Sequence, residues 1–233
     1  MLGFLLGEKS TQSQTFNEVG ERWPTTFIKT GPCYLVEIKW PDQNNYLAVQ
    51  LGFGQTKNIK KPVKGNLLRA GIKTPLRFLR EFRIDKLIPK GQLNLIKPIN
   101  DGGKKGLTID EIKIFIGDEI KPATLFKKGD KVNISGISKG KGFQGVVKRH
   151  HFKGGPRTHG QSDRERGPGS IGQTTTPGRV YKGKRMAGRM GGDRVTVKNL
   201  KVVEVREDGL LVKGLVPGAK GALLEIRNKF FTS

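Results

Sequence analysis

Cysteine, aromatic side chains and acids are scarce in this sequence. Cys33 is the sole cysteine, so no disulfide can close within the chain, and a lone cysteine is most often a small buried hydrophobe. Aromatics make up only 7% of residues, yet Val, Ile, Leu and Phe recur in short clusters, so part of the chain must fold. Asp and Glu number 20 against 44 Lys and Arg, which leaves a net charge of +24 and a pI near 10.3. No apolar run approaches the roughly 18 residues that a membrane-spanning helix needs. The positive charge is not gathered beside such a run or along one amphipathic helix, as a membrane-surface protein would have it. Met1 to Gly7 is apolar but lacks a basic stretch, and Glu8 and Lys9 follow at once, so it reads neither as a signal peptide nor as a transit peptide. The cytoplasm, or an organelle that makes its own proteins, is the expected compartment.

What is abundant is basic charge and glycine. The charge balance is the footprint of a nucleic-acid binder. Gly is 33 of 233 residues, about twice its usual share. Short β-type clusters come first: Thr25 to Ile28, Tyr34 to Trp40 and Tyr46 to Leu51, the last two joined through turn chemistry at Pro41 to Asn45 as a long-looped hairpin. Lys57, Lys60, Lys61 and Lys64 then form a basic loop around Pro62 and Gly65. Beyond it, Leu67-Leu68 and Leu76 to Arg83 fit a short helix or a strand equally well. Asn100-Asp101-Gly102-Gly103 is a turn, and Ile109, Ile112, Ile114 and Ile116 mark an apolar element of undecided type. Asp130 to Ile137 alternates like a strand. Val195 to Val197, Leu200 to Val205, Leu210 to Val212 and Leu223 to Ile226 return to strand, with Glu207-Asp208-Gly209 as a hairpin turn.

Residues 138 to 195 are unlike the rest. These 58 residues hold 14 Lys or Arg, three acids, 14 Gly and all three histidines, for a net charge of +11. Strands lie on both sides of this stretch, and neither set alone completes a sheet. A small β-barrel interrupted by an excursion that leaves and returns is therefore expected.

Patterns in this stretch that suggest catalysis or cofactor binding fail on context. Gly140, Gly142 and Gly145 spell G-x-G-x-x-G, but Gly154-Gly155-Pro156 cuts off any following helix too early for a dinucleotide fold. No H-R-D or D-F-G follows for a kinase. Gly178 to Lys184 approaches a phosphate loop, but Arg185 stands where a magnesium-binding Ser or Thr is required. His150, His151 and His159 lie among cations that would repel a metal ion. Asp163, Glu165 and Asp193 are too few and too scattered for carboxylate catalysis. RNA fits better. Lys and Arg neutralise phosphates, Gly lets the backbone approach closely, and Arg, His, Phe143 and Tyr181 offer flat faces to unpaired bases. A solvated basic loop with no fixed partner is the plain alternative, but the interleaved Phe143, Val146, Phe152, Ile171, Val180, Met186 and Met190 suggest a segment shaped on a surface.

Ser138 to Gly145, Val147 to His150, Pro168 to Gly172, Thr176 to Val180 and Lys182 to Gly188 closely resemble the signature of universal large-subunit ribosomal protein three. Leu211 to Gly214 and Val216 to Gly218 look like its C-terminal strands, and Ala70-Gly71 and Glu81 to Arg83 match its middle region. The resemblance, of the bacterial type, implies a mainly β fold: a six-stranded translation-protein-type β-barrel, a middle α+β insertion, and a long basic Gly-rich loop. The layout it implies is 1–57 as the first part of the barrel, 58–125 as the middle insertion, 126–138 as a barrel strand, 139–194 as the rRNA-penetrating loop and 195–233 as the closing strands. It also implies a structural constituent of the large subunit, not an enzyme, that binds large-subunit rRNA near its 3′ end, nucleates assembly and reaches toward the peptidyl transferase region.

On that basis the rRNA-binding residues are Lys139, Lys141, Lys148, Arg149, His150, Lys153, Arg157, His159, Arg164, Arg166, Arg179, Lys182, Lys184, Arg185 and Arg189. Gln173 corresponds to a glutamine that is methylated in some bacterial relatives. The partners implied are large-subunit rRNA and neighbouring large-subunit proteins. No membrane, small-molecule substrate, catalytic residue, metal ligand or cofactor is implied, and magnesium enters only as an rRNA counterion. Two departures stand out. Glu165 falls where relatives often carry His and is expected to pair with Arg164 or Arg166. Asn100 to Glu119 is longer than the family pattern and is expected to be a surface addition. A general nucleic-acid-binding barrel, or a regulator of its own transcript, would share the charge but would bind many RNAs with little discrimination.

Overall fold

The computed structural model describes residues 3–85, 96–101, 104–109 and 112–228. Among these the strands are β1 (Phe4–Phe16), β2 (Arg22–Lys29), β3 (Cys33–Lys39), β4 (Ala48–Gln55), β5 (Leu76–Arg83), β6 (Ile96–Asp101), β7 (Lys104–Ile109), β8 (Ile112–Phe115), β9 (Lys131–Ile137), β10 (Phe143–Gln144), β11 (Gly188–Arg189), β12 (Arg194–Val205), β13 (Gly209–Lys213) and β14 (Leu223–Asn228). The helices are short: α1 (Pro41–Asn44), α2 (Lys61–Arg69), α3 (Pro122–Leu125) and α4 (Val146–His150). The chain is mainly β, in several sheets, and divides into two compact units. One comprises 1–137 with 195–233, and the other 138–194.

In the first unit β1, β14, β9, β12, β13 and β2 follow one another as neighbours, and β2 pairs back with β1. Strands from both ends of the chain therefore build one sheet. The inward alternation is plain in β14, where Leu224, Ile226 and Asn228 are buried and the residues between them are half-exposed. β9 opposes it with Val132 and Ile134 buried. β1 is buried only over its first half; its Ser10–Thr15 half is a largely exposed ribbon paired to β2.

Tyr34–Trp40 and Tyr46–Leu51 do form a hairpin, but not within that ring of strands. β3, β4 and β5 make a separate three-stranded antiparallel sheet. The physical reason is that β4 is buried on both faces. Toward the ring it sends Leu51 and Phe53 into the main core, where Phe4 of β1 and Phe82 of β5 stack at 5.6 Å. On the opposite side Val36, Leu67, Ala70, Ile72 and Leu76 make a second apolar cluster under α2. The sheet is thus a middle layer, between the main core and α2.

Leu67-Leu68 resolves as helix and Leu76–Arg83 as strand. Two of the lysines expected in a loop, Lys61 and Lys64, sit on α2. Val63, Leu67 and Ala70 recur at helical spacing over the second cluster. The helix stops at Gly71 (φ +72), whose N–H bonds to the Leu68 carbonyl at 3.0 Å while the Ile72 N–H reaches Leu67 at 2.9 Å, the paired bonds of a Schellman stop. Asn100 to Glu119 is not a surface addition. β6, β7 and β8 form a three-stranded sheet, and Leu107 and Ile114 enter the main core. The expected turn at Asn100–Gly103 lies partly outside the described residues; Asp101 and Lys104 pair on either side of it.

Cys33 is fully buried in the main core, and burial pushes its thiol up to about 12. It packs as a hydrophobe. Lys9 is the unusual core residue. It is buried, and its ammonium donates to the carbonyl oxygens of Val216 at 2.7 Å and Gly218 at 3.0 Å. A buried cation is tolerated only when its donors are satisfied, and here it ties β1 to the turn that leads into β14. Replacing Lys9 by Met keeps the stem but orphans both carbonyls. The expected loss is roughly 2–3 kcal/mol of unfolding free energy, of the size of hydrogen bonds to a charged group, read from the urea midpoint at unchanged m-value.

Candidate nucleic-acid interface

Ser138–Arg194 is closed at its base by backbone pairing. The Ser138 N–H bonds to Asp193 at 2.9 Å, Lys141 to Met190 at 2.9 Å and Met190 to Gly142 at 3.0 Å, and β10 pairs with β11 through Phe143↔Arg189 and Gln144↔Gly188. Gly191, at φ +74, lies against the Lys139 carbonyl so tightly that a Cβ has no room. Beyond this neck the segment has almost no interior. Val146 is its one buried residue. The G-x-G-x-x-G stretch contains a two-residue strand and is followed by the five-residue α4, which His151 ends at φ 60. That is far short of a dinucleotide-binding helix.

The expected binding residues separate into two groups. Arg149 and His150 are half-buried and converge on one acceptor. The Arg149 guanidinium donates to the Met186 carbonyl at 2.7 Å, and His150 Nε2 lies 3.0 Å from the same oxygen. They fix the course of the returning strand. Arg157 pairs with Glu165, which therefore does not pair with its neighbours Arg164 or Arg166. The pairing follows from chain direction: Gly155 N–H bonds to the Glu165 carbonyl at 2.7 Å, so the two stretches run side by side. Arg157 is largely exposed and Glu165 half-buried, and so open a pair adds little stability.

Lys139, Lys141, Lys148, Lys153, Arg164, Arg166, Arg179, Lys182, Lys184, Arg185 and Arg189 form the second group. All are exposed, as are His159 and Gln173, and among the described residues none of these cations has an ion pair or side-chain hydrogen bond. Phe143 and Tyr181 are also exposed, at 77% and 60%. A cleft of about 830 Å³ is lined by Phe152, Lys153, Arg164, Pro168 and Ser170. Sequence reasoning did not single out this cleft, because its walls come from residues that only the Gly155–Glu165 contact brings near one another.

Glycine usage points outward as well. At Gly140 the backbone is not left-handed and a Cβ would meet nothing within 4 Å. Nothing among the described residues requires glycine there, and a bare backbone leaves room for a close external approach. Like charges so dense in a segment with one buried side chain cannot stabilise it. Polyphosphate can, by neutralising the cations while the exposed rings accept bases. Among the described residues no three His, Cys, Asp or Glu gather as metal ligands, and no helix is long and apolar enough to cross a membrane.

The model of the family described as ribosomal protein L3 matches residues 90–209, which include the whole of this segment and the strands that flank it. The chain belongs to the ribosomal protein L3 family. Bacterial relatives match it nearly end to end. The large ribosomal subunit protein uL3 of Herpetosiphon aurantiacus is 46% identical over 230 residues, covering 97% of this chain and 96% of the relative. The uL3 proteins of Dehalococcoides mccartyi and Chlorobaculum tepidum are each 43% identical over 229 residues, covering 97% of this chain and 98% of theirs. Membership of the L3 family makes this a structural ribosomal protein and not an enzyme.

Because the neck is set by a left-handed, crowded Gly191, Gly191→Ala is expected to open it. Hydrogen exchange at the Lys141 and Met190 amides should accelerate at least tenfold, with the unfolding midpoint of the first unit unchanged. A tenfold change needs about 1.4 kcal/mol, which lies within the roughly 1–3 kcal/mol of strain at a left-handed non-glycine residue.

Proposed function

We propose that this L3-family chain is a structural constituent of the large ribosomal subunit that binds large-subunit rRNA directly, near its 3′ end, and helps nucleate assembly. The ring of strands in the first unit is read as the six-stranded translation-type barrel, seated on the outside of the subunit. Residues 139–194 are read as the arm that runs inward along rRNA toward the peptidyl transferase region. The observation that carries this is the cationic segment with one buried side chain and exposed, unpaired Lys and Arg. The names of the relatives and the signature motifs support the ribosomal destination.

In this reading Arg149 and His150 act by shaping the arm, while the unpaired cations neutralise phosphates. Phe143 and Tyr181 are the surfaces for unstacked bases. Gln173 is exposed, as a methylation position has to be before assembly. Neighbouring large-subunit proteins are the other partners. Magnesium serves only as the rRNA counterion, and any effect on peptide-bond formation is indirect, through ordered rRNA.

The test is competition binding of the full chain to large-subunit rRNA against an unrelated structured RNA at physiological salt. Retention on the rRNA supports the proposal; equal loss to the competitor reduces the chain to a generic basic binder. The variant Arg179→Ala, Lys182→Ala, Arg185→Ala is expected to lower the salt slope by roughly 2–3, at 0.7–0.9 per phosphate contact. Its melting temperature should match that of the parent, and its subunits should assemble poorly. Normal assembly in this variant would contradict the assigned role of the arm.

A further inference from the structure

The second half of β1 has an edge that no strand of the described residues covers. β14 pairs with β1 only as far as Glu8↔Leu223, and the Lys9 backbone completes the contact through Ala222 and Gly221. From Ser10 to Phe16 the strand has β2 on one side alone. Pro24 shows which backbone groups point away. It stands opposite Gln14 and has no N–H, and its carbonyl accepts from Gly214, at the end of β13, at 2.7 Å. Gln14 therefore has no backbone bond to β2. Antiparallel alternation then turns the N–H and C=O of Gln12, Gln14 and Phe16 outward.

Unpaired strand edges are commonly guarded by Lys, Pro or short length. Ser10–Phe16 contains no Lys and no Pro, and the one shift of register precedes Gln12. The hairpin is also opposite in sign to the chain. Ser10 to Glu21 holds two acids, Glu18 and Glu21, and no Lys or Arg, against +24 for the whole. Such a surface repels a phosphate backbone. Beside the edge, a groove of about 500 Å³ separates the hairpin from β12 and β13, with Phe16, Val19, Val203 and Leu211 among its walls. Phe16 and Val19 are 66% and 85% exposed. Trp23, on the same groove, already carries Lys213 at 3.8 Å and Lys201 at 5.4 Å from its ring, so it is not left open for a base.

An open ladder beside an apolar groove is the arrangement used in strand addition, where main-chain bonds give affinity and a side-chain pocket gives selectivity. We propose that the Gln12–Phe16 edge of β1 receives an extended, cationic segment of a neighbouring large-subunit protein as an added strand, with an apolar side chain of that segment in the groove beside Phe16 and Val19. A second copy of this chain pairing edge to edge would bring like charges together. The inference gives the neighbouring-protein partners of the function proposed above a surface, and it rests on that reading.

Amide hydrogen exchange of the unmodified chain, read residue by residue, is compared in the free chain, on transcribed large-subunit rRNA and in purified large subunits. Gln12, Gln14 and Phe16 are expected to exchange rapidly in the first two and roughly tenfold or more slowly in subunits. Ser13 and Thr15, which face β2, should be protected throughout. In parallel, the variant Gln14→Cys carries a benzophenone on the introduced thiol; Cys33 is fully buried and stays unlabelled. Irradiation after reconstitution into large subunits should cross-link it to an extended Lys- or Arg-containing segment of another subunit protein. A cross-link to rRNA, or protection of the three amides on rRNA alone, would overturn the protein occupant, and a cross-link to a second copy would overturn the neighbouring one. Slow exchange in the free chain would mean that the chain covers its own edge, and fast exchange in subunits that nothing does. Either result overturns this inference and leaves rRNA binding, measured in the same samples, standing. A chain that neither binds the rRNA nor enters subunits would overturn the proposed function and this inference with it.

Discussion

Electrostatic self-repulsion in Ser138–Arg194 is the constraint on which the rest of this structure depends. The segment has 14 Lys and Arg against three acids and buries only Val146. Burial cannot offset the entropy of ordering it, and its own three acids offset only a small part of its charge. Its shape therefore rests on backbone closure at the neck and on the Arg149 and His150 contacts to Met186, and, in the function proposed above, on a polyanion supplied from outside. Everything hydrophobic is left to the first unit, which has to fold without help from the arm.

That unit solves the problem by layering. Strands from before and after the arm lie in one ring and share one core, so an insertion of this size does not divide the fold. β3, β4 and β5 cover one side of the core and are themselves covered by α2. Lys9 crosses between distant parts of the chain, joining β1 to the Val216–Gly218 turn with a buried charge where an apolar residue could not satisfy the two carbonyls. The stability of the unit and the binding chemistry of the arm thus draw on different residues.

Much of this was legible in the sequence. Period-two alternation marks β9, which has one face in the core, apolar runs mark the closing strands, and the swing to Lys, Arg and Gly at Ser138 marks the arm. The hairpin of Tyr34 and Tyr46 was legible as a hairpin. Its separate sheet was not, because residues buried on both faces look the same in a barrel wall and in a middle layer. Leu67-Leu68 remained ambiguous because apolar pairs suit either element; the Ala70-Gly71-Ile72 stop, an αL glycine followed by an apolar residue, was the signal that decided it. Asn100–Glu119 looked peripheral from its length, yet Leu107 and Ile114 are core. In the arm, residue type pointed to phosphate but could not distinguish the cations that face outward from Arg149, His150 and Arg157, whose partners are set by contacts between residues up to 37 positions apart.

The central claim, that the arm takes its order from RNA and the first unit from its own core, is tested most directly by limited tryptic digestion of the full chain, alone and on large-subunit rRNA. The account predicts rapid cutting throughout 138–194 in the free chain while the first unit survives, and resistance across the whole arm once rRNA is bound. An arm as resistant as the core in the free chain, or one still cut at the same rate on rRNA, would contradict it.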